Sequence, residues 1–164
     1  MKTRGGVVVL DELDLKILQA LQEDSKQTYT EIGHILSVAH STVYDRIRKM
    51  EKSNIIRNYT TILDLEKAGV RHVTAIMTIF TDPKESENVA ERLSELEEVL
   101  EVSTSLSEEL LIIAKVIARD QESLHSLIAQ SIAPLPGVLR IRTSIITRKY
   151  KEKSPNNFLL SREQ

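Results

Sequence analysis

The strongest constraint on the fold of this chain is a pair of short helices that the sequence separates by only a few residues. Thr28 and Glu31 have the spacing of a capping box, and apolar residues then recur at helical spacing over residues 32–36. Residues 37–40 are too few for anything except a turn, and residues 41–52 are again helical in pattern. Two short helices with so tight a connection favour a helix-turn-helix.

The residues on either side of this pair extend the pattern. Asp11 is a good N-cap and predicts a first helix over Leu13–Gln22. Asn54 tolerates the left-handed conformation that ends helices, so it is expected to close the third helix. The stretch Ile55–Leu63 is rich in residues that favour strands, and we interpret it as a wing or as the strand that leads out of a wing.

The third helix predicts a division between an apolar and a polar face. Val43, Ile47 and Met50 share one side at about 100° per residue and should face the core. The outward set is Ser41, Thr42, Asp45, Arg48, Lys49 and Lys52, with Tyr44 and Arg46 on the flanks. Long cations neutralise phosphates or bind guanine, and short polar groups read base edges, so this face is typical of a DNA-contacting helix.

The charge distribution agrees with this interpretation but does not decide it. The net charge of the whole chain is −2, whereas residues 41–60 hold five basic and two acidic residues. A local basic patch on a nearly neutral protein is expected when only part of the chain contacts nucleic acid. An ordinary three-helix bundle with a solvated basic face would give the same count.

Composition indicates a globular protein with a proper core. Hydrophobic residues make up 41% and charged residues 28% of the 164 residues. The absence of cysteine excludes disulfides and thiolate chemistry and suits a reducing compartment. The apolar run Val7–Leu10 is too short for a signal peptide or a membrane span, so we expect a cytoplasmic protein with no membrane partner.

The pattern changes near residues 67–69, where a hinge is expected. Four strands and two helices follow in the order β-α-β-β-α-β, which is the ferredoxin-like arrangement. The strands are predicted at His72–Phe80, Val99–Ser105, Leu110–Val116 (central in the sheet) and Val138–Tyr150; the helices begin at Asp82-Pro83 and at Asp120.

Two helices can cover only one face of such a sheet. The uncovered face carries Ile76, either Ile112 or Ile113, and either Ile145 or Ile146. A second subunit is the natural cover for these apolar residues, and two symmetric recognition helices would then meet a palindromic site.

The sequence therefore predicts an α+β chain: an N-terminal winged helix-turn-helix followed by a ferredoxin-like βαββαβ domain. The expected division is a DNA-binding domain at 1–60, a hinge at 61–71, an oligomerisation and effector domain at 72–153 and a tail at 154–164.

From about Leu10 to Lys153, the sequence resembles the Lrp/AsnC family, the leucine-responsive and asparagine-type "feast/famine" transcription regulators of bacteria and archaea. The resemblance is carried by LDLKIL at 13–18, STVYDRI at 41–47, Ile55-Ile56 and LPGV at 135–138. Each piece is weak alone, but their order and spacing together are specific.

The resemblance implies a DNA-binding transcription regulator that forms dimers, and in many members tetramers or octamers, and that responds to an amino-acid effector. The family's recognition-helix motif Ser-Thr-Val-x-x-Arg-Ile maps onto Ser41–Ile47, which makes Arg46 a candidate contact. The full candidate DNA-binding set is His40, Ser41, Thr42, Tyr44, Asp45, Arg46, Arg48, Lys49 and Lys52.

The chain departs from the family pattern at three places. Ala39 stands where a capping Ser is usual, and Asn54 stands where Gly is usual. The effector motif Gly-x-x-Asp is absent, because our alignment puts Glu108 at the Gly and Leu111 at the Asp. Ser107, Glu108 and Glu109 are the candidate effector-binding residues, and the ligand is expected to differ from the usual one.

Two other classes of function are alternatives to the regulator. An enzyme is disfavoured, since the four histidines are scattered and no phosphate-binding loop or nucleophile elbow is present. We therefore predict no catalytic residues, metal or cofactor. A ligand-sensing or protein-interaction module that never contacts DNA is the second rival, and it would not need the basic face of the third helix.

Overall fold

The computed structural model describes residues 2–4, 7–106 and 110–151, and the chain divides into two compact units. The first contains every described residue up to Ile62 together with Lys151, and the second spans Leu63–Tyr150. No helix within the described residues has both the length and the apolar character needed to cross a membrane.

The first unit is built from three helices. A short antiparallel pair, β1 (Lys2–Arg4) and β2 (Val7–Val9), precedes them. The helices are α1 (Glu12–Glu23), α2 (Tyr29–Leu36) and α3 (His40–Lys52). Their apolar faces form one buried cluster around Ile17, Ile32 and Ile47, each of which is 0% exposed.

The helix boundaries follow the capping residues predicted from the sequence. The Asp11 side chain accepts a hydrogen bond from the Asp14 amide at 3.0 Å, and Asp14 bonds back to the Asp11 amide, which completes a capping box. Thr28 and Glu31 form the second capping box, as predicted. Asn54 has φ of 56°, the left-handed conformation expected after α3.

The predicted wing strand over Ile55–Leu63 is wrong, because no strand is found in this segment. The Ile55 and Ile56 amides donate to the Met50 carbonyl at 2.9 and 3.2 Å, and both side chains pack against the three-helix cluster. A strand-favouring composition produces a strand only where another strand supplies hydrogen-bond partners, and no strand pairs with this segment in the described chain.

The second unit has the predicted ferredoxin-like order. It consists of β3 (Val73–Thr81), α4 (Ser86–Ser94), β4 (Val99–Leu106), β5 (Leu110–Ala118), α5 (Gln121–Ser126), which continues as a π-helical stretch over Leu127–Ile132, and β6 (Val138–Ile145). The strands form an antiparallel sheet in the order β4-β5-β3-β6, so β5 is central as predicted. Its core lies between the two helices and one face of the sheet.

Two boundaries in this unit differ from the sequence prediction by more than two residues. Helix α4 begins at Ser86, not at Asp82-Pro83, because the Asp82 carboxylate accepts from the Lys84 amide and its carbonyl accepts from the Glu85 amide. These bonds close a turn before the helix. Strand β6 ends at Ile145, not at Tyr150, since β3, which pairs with it, begins at Val73.

The register of the sheet decides which isoleucines lie on the face away from the helices. Ile112 is 0% exposed and belongs to the core, whereas its neighbour Ile113 is 40% exposed on the opposite face. Ile76 lies on that same outer face, and Ile146 joins it through a 2.8 Å bond from its amide to the Thr74 carbonyl. The outer face therefore carries apolar side chains on three neighbouring chain segments.

A candidate nucleic-acid interface

The connection between α2 and α3 is tight because Gly33 lets the backbone approach closely. The Val38 amide donates to the Gly33 carbonyl at 2.9 Å, and Ser37 adopts the left-handed conformation with φ of 56°. A Cβ atom at position 33 would lie only 2.8 Å from the Val38 carbonyl oxygen. Gly33 was not predicted to have this role, although an isolated glycine inside a helical pattern is the signal for such a position.

Helix α3 has the two faces that its sequence predicts. Val43, Ile47 and Met50 are 0% exposed and face the interior of the first unit. The opposite side of the helix is open to solvent. Its exposed residues are His40, Ser41, Tyr44, Asp45, Arg48, Lys49 and Lys52, and Thr42 is half-buried at its edge.

The N-terminus of α3 differs from those of α1 and α2. Ala39 occupies the N-cap position, and no side chain bonds to the amides of the first turn. The other two helices of this unit have complete capping boxes. Uncapped amides at a helix N-terminus carry partial positive charge and bind anions, phosphate included.

Arg46 is directed towards α1. Its Nη1 atom lies 3.0 Å from Oδ1 of Asp14, which is 0% exposed, and it also forms an ion pair with Asp11. The hydrogen bond from Arg46 holds the pKa of Asp11 below its ordinary value, and the two carboxylates raise the pKa of Arg46. Arg46 therefore joins the middle of α3 to the start of α1.

Aromatic side chains line one flank of α3. The rings of Tyr44 and Tyr29 meet edge to face with centroids 5.5 Å apart, and the guanidinium of Arg48 lies 5.7 Å from the Tyr44 ring centroid. The Tyr59 hydroxyl donates to Glu51 at 3.0 Å. Burial and this carboxylate raise the pKa of Tyr59 to about 12. Tyr29 and Tyr59 were missed in the sequence analysis, since their partners are distant in sequence.

The arrangement brings together eight of the nine candidate DNA-binding residues on the outer side and flank of α3, and directs the ninth, Arg46, to α1. The candidate effector residues Ser107, Glu108 and Glu109 lie outside the described residues. Within the described part of the chain, no three His, Cys, Asp or Glu side chains are grouped to hold a metal ion.

Two family models match this chain. The AsnC-type helix-turn-helix domain matches residues 10–51, which contain α1, α2 and all of α3 except Lys52, and the Lrp/AsnC ligand binding domain matches residues 74–156. These matches coincide with the helical unit and with most of the ferredoxin-like unit.

Proteins similar to this chain are named as transcription regulators. An uncharacterized HTH-type transcriptional regulator of Pyrococcus furiosus is 36% identical over 141 residues, which cover 85% of this chain and 93% of that protein. The HTH-type transcriptional regulator LrpA of Pyrococcus horikoshii is 35% identical over 143 residues, which cover 87% of this chain and all of that protein.

Among solved structures, the transcriptional regulator NMB0573 of Neisseria meningitidis, in complex with L-Met, has the same fold. Its TM-score is 0.78 at 23% identity, and the match covers 92% of this chain and 99% of that one. The three-helix unit, the antiparallel sheet and the two family matches lead to one conclusion: this chain belongs to the Lrp/AsnC family of transcriptional regulators, with a DNA-binding helix-turn-helix and a ligand-binding domain.

Proposed function

We propose that the protein binds a palindromic operator in a sequence-specific manner as a dimer or higher oligomer, with α3 lying in the major groove. The outward face of α3 carries this proposal: three cations and several short polar groups are exposed on a helix whose other side is anchored in the core. Because its partner is DNA, we place the protein in the cytoplasm.

The side chains of α3 have distinct roles in this proposal. Arg48, Lys49 and Lys52 neutralise phosphates or bind guanine, and Ser41, Thr42 and Asp45 read base edges. His40 and the uncapped amides beside it bind a phosphate. The ring of Tyr44 packs against the guanidinium of Arg48 and helps to hold it in position.

For Arg46 we propose a bracing role. Its Nη1 atom is shared between two carboxylates, one of them fully buried, so its side chain holds α3 in position and leaves base reading to its neighbours.

We propose that the outer face of the sheet joins two subunits. Ile76 and Ile113 supply its apolar centre. The guanidinium of Arg140 lies 3.9 Å from the Phe80 ring centroid and gives the face a polar margin. An apolar centre with a polar rim is the usual composition of a protein interface. Two subunits related by a two-fold axis present two copies of α3, and this arrangement suits DNA half-sites about 10 base pairs apart.

We propose that a small amino-acid-like molecule modulates the regulator near Ser107, Glu108 and Glu109. Support comes from the match to the ligand binding domain and from the N. meningitidis relative solved with L-Met. Because this chain lacks the Gly-x-x-Asp motif, its effector is expected to differ in chemistry.

Selection of bound duplexes from a random DNA pool tests the DNA-binding proposal. The expected result is one palindromic motif whose half-sites are about one helical turn, or a multiple of it, apart. Thr42→Ala and Asp45→Ala should change the selected bases, at about 1–3 kcal/mol for each lost base contact. An identical motif from wild type and both variants would remove these residues from base reading, and a pool without enrichment would contradict specific binding.

A further inference from the structure

Three strand ends meet at one end of the sheet in the second unit. Val73, the first residue of β3, lies opposite Ala118, the last residue of β5, and Ala75 lies opposite Ile145, the last residue of β6. The chain segments just outside these ends are therefore neighbours in space. They are residues 70–72, 119–121 and 146–149.

These segments enclose a cleft of about 800 Å³, together with Glu66 and Gly69 from the preceding turn. This volume is within the range of about 300–1,000 Å³ that is typical of small-molecule sites. All of its lining residues belong to the second unit, so the cleft does not depend on how the two units are arranged.

The cleft concentrates positive charge in an acidic domain. Its lining contains four cationic residues, Arg71, Arg119, Arg148 and Lys149, and two acidic ones, so its formal charge is 4 − 2 = +2. Residues 63–150 as a whole hold ten Lys/Arg and fourteen Asp/Glu, a formal charge of 10 − 14 = −4. A local reversal of sign in a concave site attracts anions.

Asp120, one of the two acidic residues of the cleft, already has a structural role as the N-cap of α5. The Asp120 carboxylate accepts from the Ser123 amide at 2.7 Å, and this bond holds its pKa below the ordinary value. The Arg71 side chain makes no hydrogen bond or ion pair within the described part of the chain. Its donors are therefore available to a ligand.

The cleft also presents apolar surface beside its cations. Val70, Val73 and Ile146 contribute to the lining. A site that only follows a phosphate backbone needs no such surface, whereas an organic ligand gains from covering it. The combination of arginine donors with apolar walls fits a molecule that has both a carbon skeleton and an anionic group.

We propose that this cleft binds a small organic anion through carboxylate or phosphate groups, with Arg71 and Arg119 as the principal contacts. A guanidinium binds either group through two parallel hydrogen bonds. The site is distinct from the candidate effector residues at 107–109. They directly precede Leu110, and Arg119 follows Ala118 at the other end of β5, a strand roughly 27 Å long.

Calorimetric titration of the full chain with citrate and, separately, with pyrophosphate tests the proposal at a fixed ionic strength of about 0.1 M. The expected result is saturable binding of at least one anion, weakened about tenfold or more in Arg71→Gln and in Arg119→Gln. Whichever anion binds more tightly identifies the favoured group. Arg92→Gln is the matched control, because Arg92 is an exposed arginine of α4 outside the cleft, and it should bind as the wild type does.

Three outcomes would overturn the proposal. One is no saturable binding of either anion by the wild type, and another is equal weakening in Arg92→Gln. The third is that saturating duplex DNA abolishes anion binding while Arg71→Gln flattens the salt dependence of DNA affinity, which would assign the cleft to the DNA backbone. Circular dichroism and the thermal midpoint verify that each variant is folded. The first two outcomes do not depend on operator recognition, since those anion titrations contain no DNA.

Discussion

The Nη1 atom of Arg46 lies 3.0 Å from the Oδ1 atom of Asp14, and this ion pair connects the recognition helix α3 to the first helix of the chain. Asp14 is 0% exposed, and its carboxylate is bonded by Arg46 and by the Asp11 amide, which donates to it at 3.1 Å. The pair therefore fixes the position of α3 on the body of the first unit, independently of any contact with DNA.

Arg46→Ala is expected to destabilise the protein by about 3 kcal/mol, because it leaves a buried carboxylate without its cation. Urea unfolding measures the loss. The matched control is Arg48→Ala on the same helix, which should leave stability within about 0.5 kcal/mol because Arg48 is exposed. Equal stability of Arg46→Ala and wild type would contradict the bracing role.

The second ion pair of Arg46, which it forms with Asp11, predicts a pH dependence of stability. Its pKa is lowered in the folded protein, chiefly by the hydrogen bond from Arg46. The unfolded chain therefore takes up the proton first as the pH falls. The stabilisation is complete above the ordinary carboxylate range and is lost as the pH falls through the folded pKa. Asp11→Asn keeps the helix cap but removes the charge, so its free energy of unfolding should fall less steeply below about pH 5.

A double variant separates this effect from general acid sensitivity. In an Arg46→Gln background, Asp11→Asn should change the slope of stability against pH by less, because only the hydrogen bonds with Asp14 then lower the pKa of Asp11. If the slopes of the wild type and Asp11→Asn coincide in the presence of Arg46, Asp11 does not contribute as stated.

Replacing Arg48 and Lys49 by Ala should weaken DNA binding and reduce its salt dependence. Each lost phosphate contact lowers the slope of log affinity against log salt by about one unit. Fluorescence anisotropy with a labelled duplex at several salt concentrations measures that slope. The control is Lys84→Ala with Arg92→Ala, which removes the same charge from the second unit. An equal change of slope in both variants would show a general charge effect and not contact by α3.

Ala39→Ser should stabilise the protein by about 1 kcal/mol, because it supplies the cap that α3 lacks. The backbone at position 39 is already extended, with φ of −65° and ψ of 142°, as an N-cap requires. Thr28→Ala removes the existing cap of α2 and should have the opposite sign with a similar size. Thermal or urea unfolding compares the two, and a destabilised Ala39→Ser would contradict the interpretation of this helix start.

Ile113→Glu should reduce the oligomeric state in solution, since it places a charge at the apolar centre of the outer sheet face. Multi-angle light scattering of the full chain measures the molar mass. Leu139→Glu is the control: Leu139 is 70% exposed and lies unpaired at the irregularity in the β3–β6 register. If Ile113→Glu has the same molar mass as the wild type, the outer sheet face is not the interface between subunits.

Local signals in the sequence predicted most of the fold. The capping box of Thr28 and Glu31 and the cap at Asp120 depend on residues three apart, so they could be recognised without knowledge of the tertiary structure. The amphipathic pattern of α3 likewise predicted which of its residues are buried. The order βαββαβ followed from alternating periodicities.

Relationships over longer distances could not be predicted in this way. Arg46 meets carboxylates 32 and 35 residues away, and its helical angle alone placed it on the flank of a DNA-contacting face. The strand predicted over Ile55–Leu63 failed for a related reason, since strand formation depends on a partner that local composition cannot supply. The cationic cleft was missed because its arginines are brought together by the ends of three strands.

The close approach of Gly33 to the Val38 carbonyl has a consequence for how DNA specificity can change in a regulator of this kind. The angle at which α3 leaves the turn depends on the absence of a single carbon atom from Gly33, and not on any side chain that points outward. Under the proposed function, residues on the exposed side of α3 can be exchanged without altering this turn, so the preferred DNA sequence can change while α3 keeps its position. The residues that set the angle of α3 are therefore separate from those proposed to select the DNA sequence.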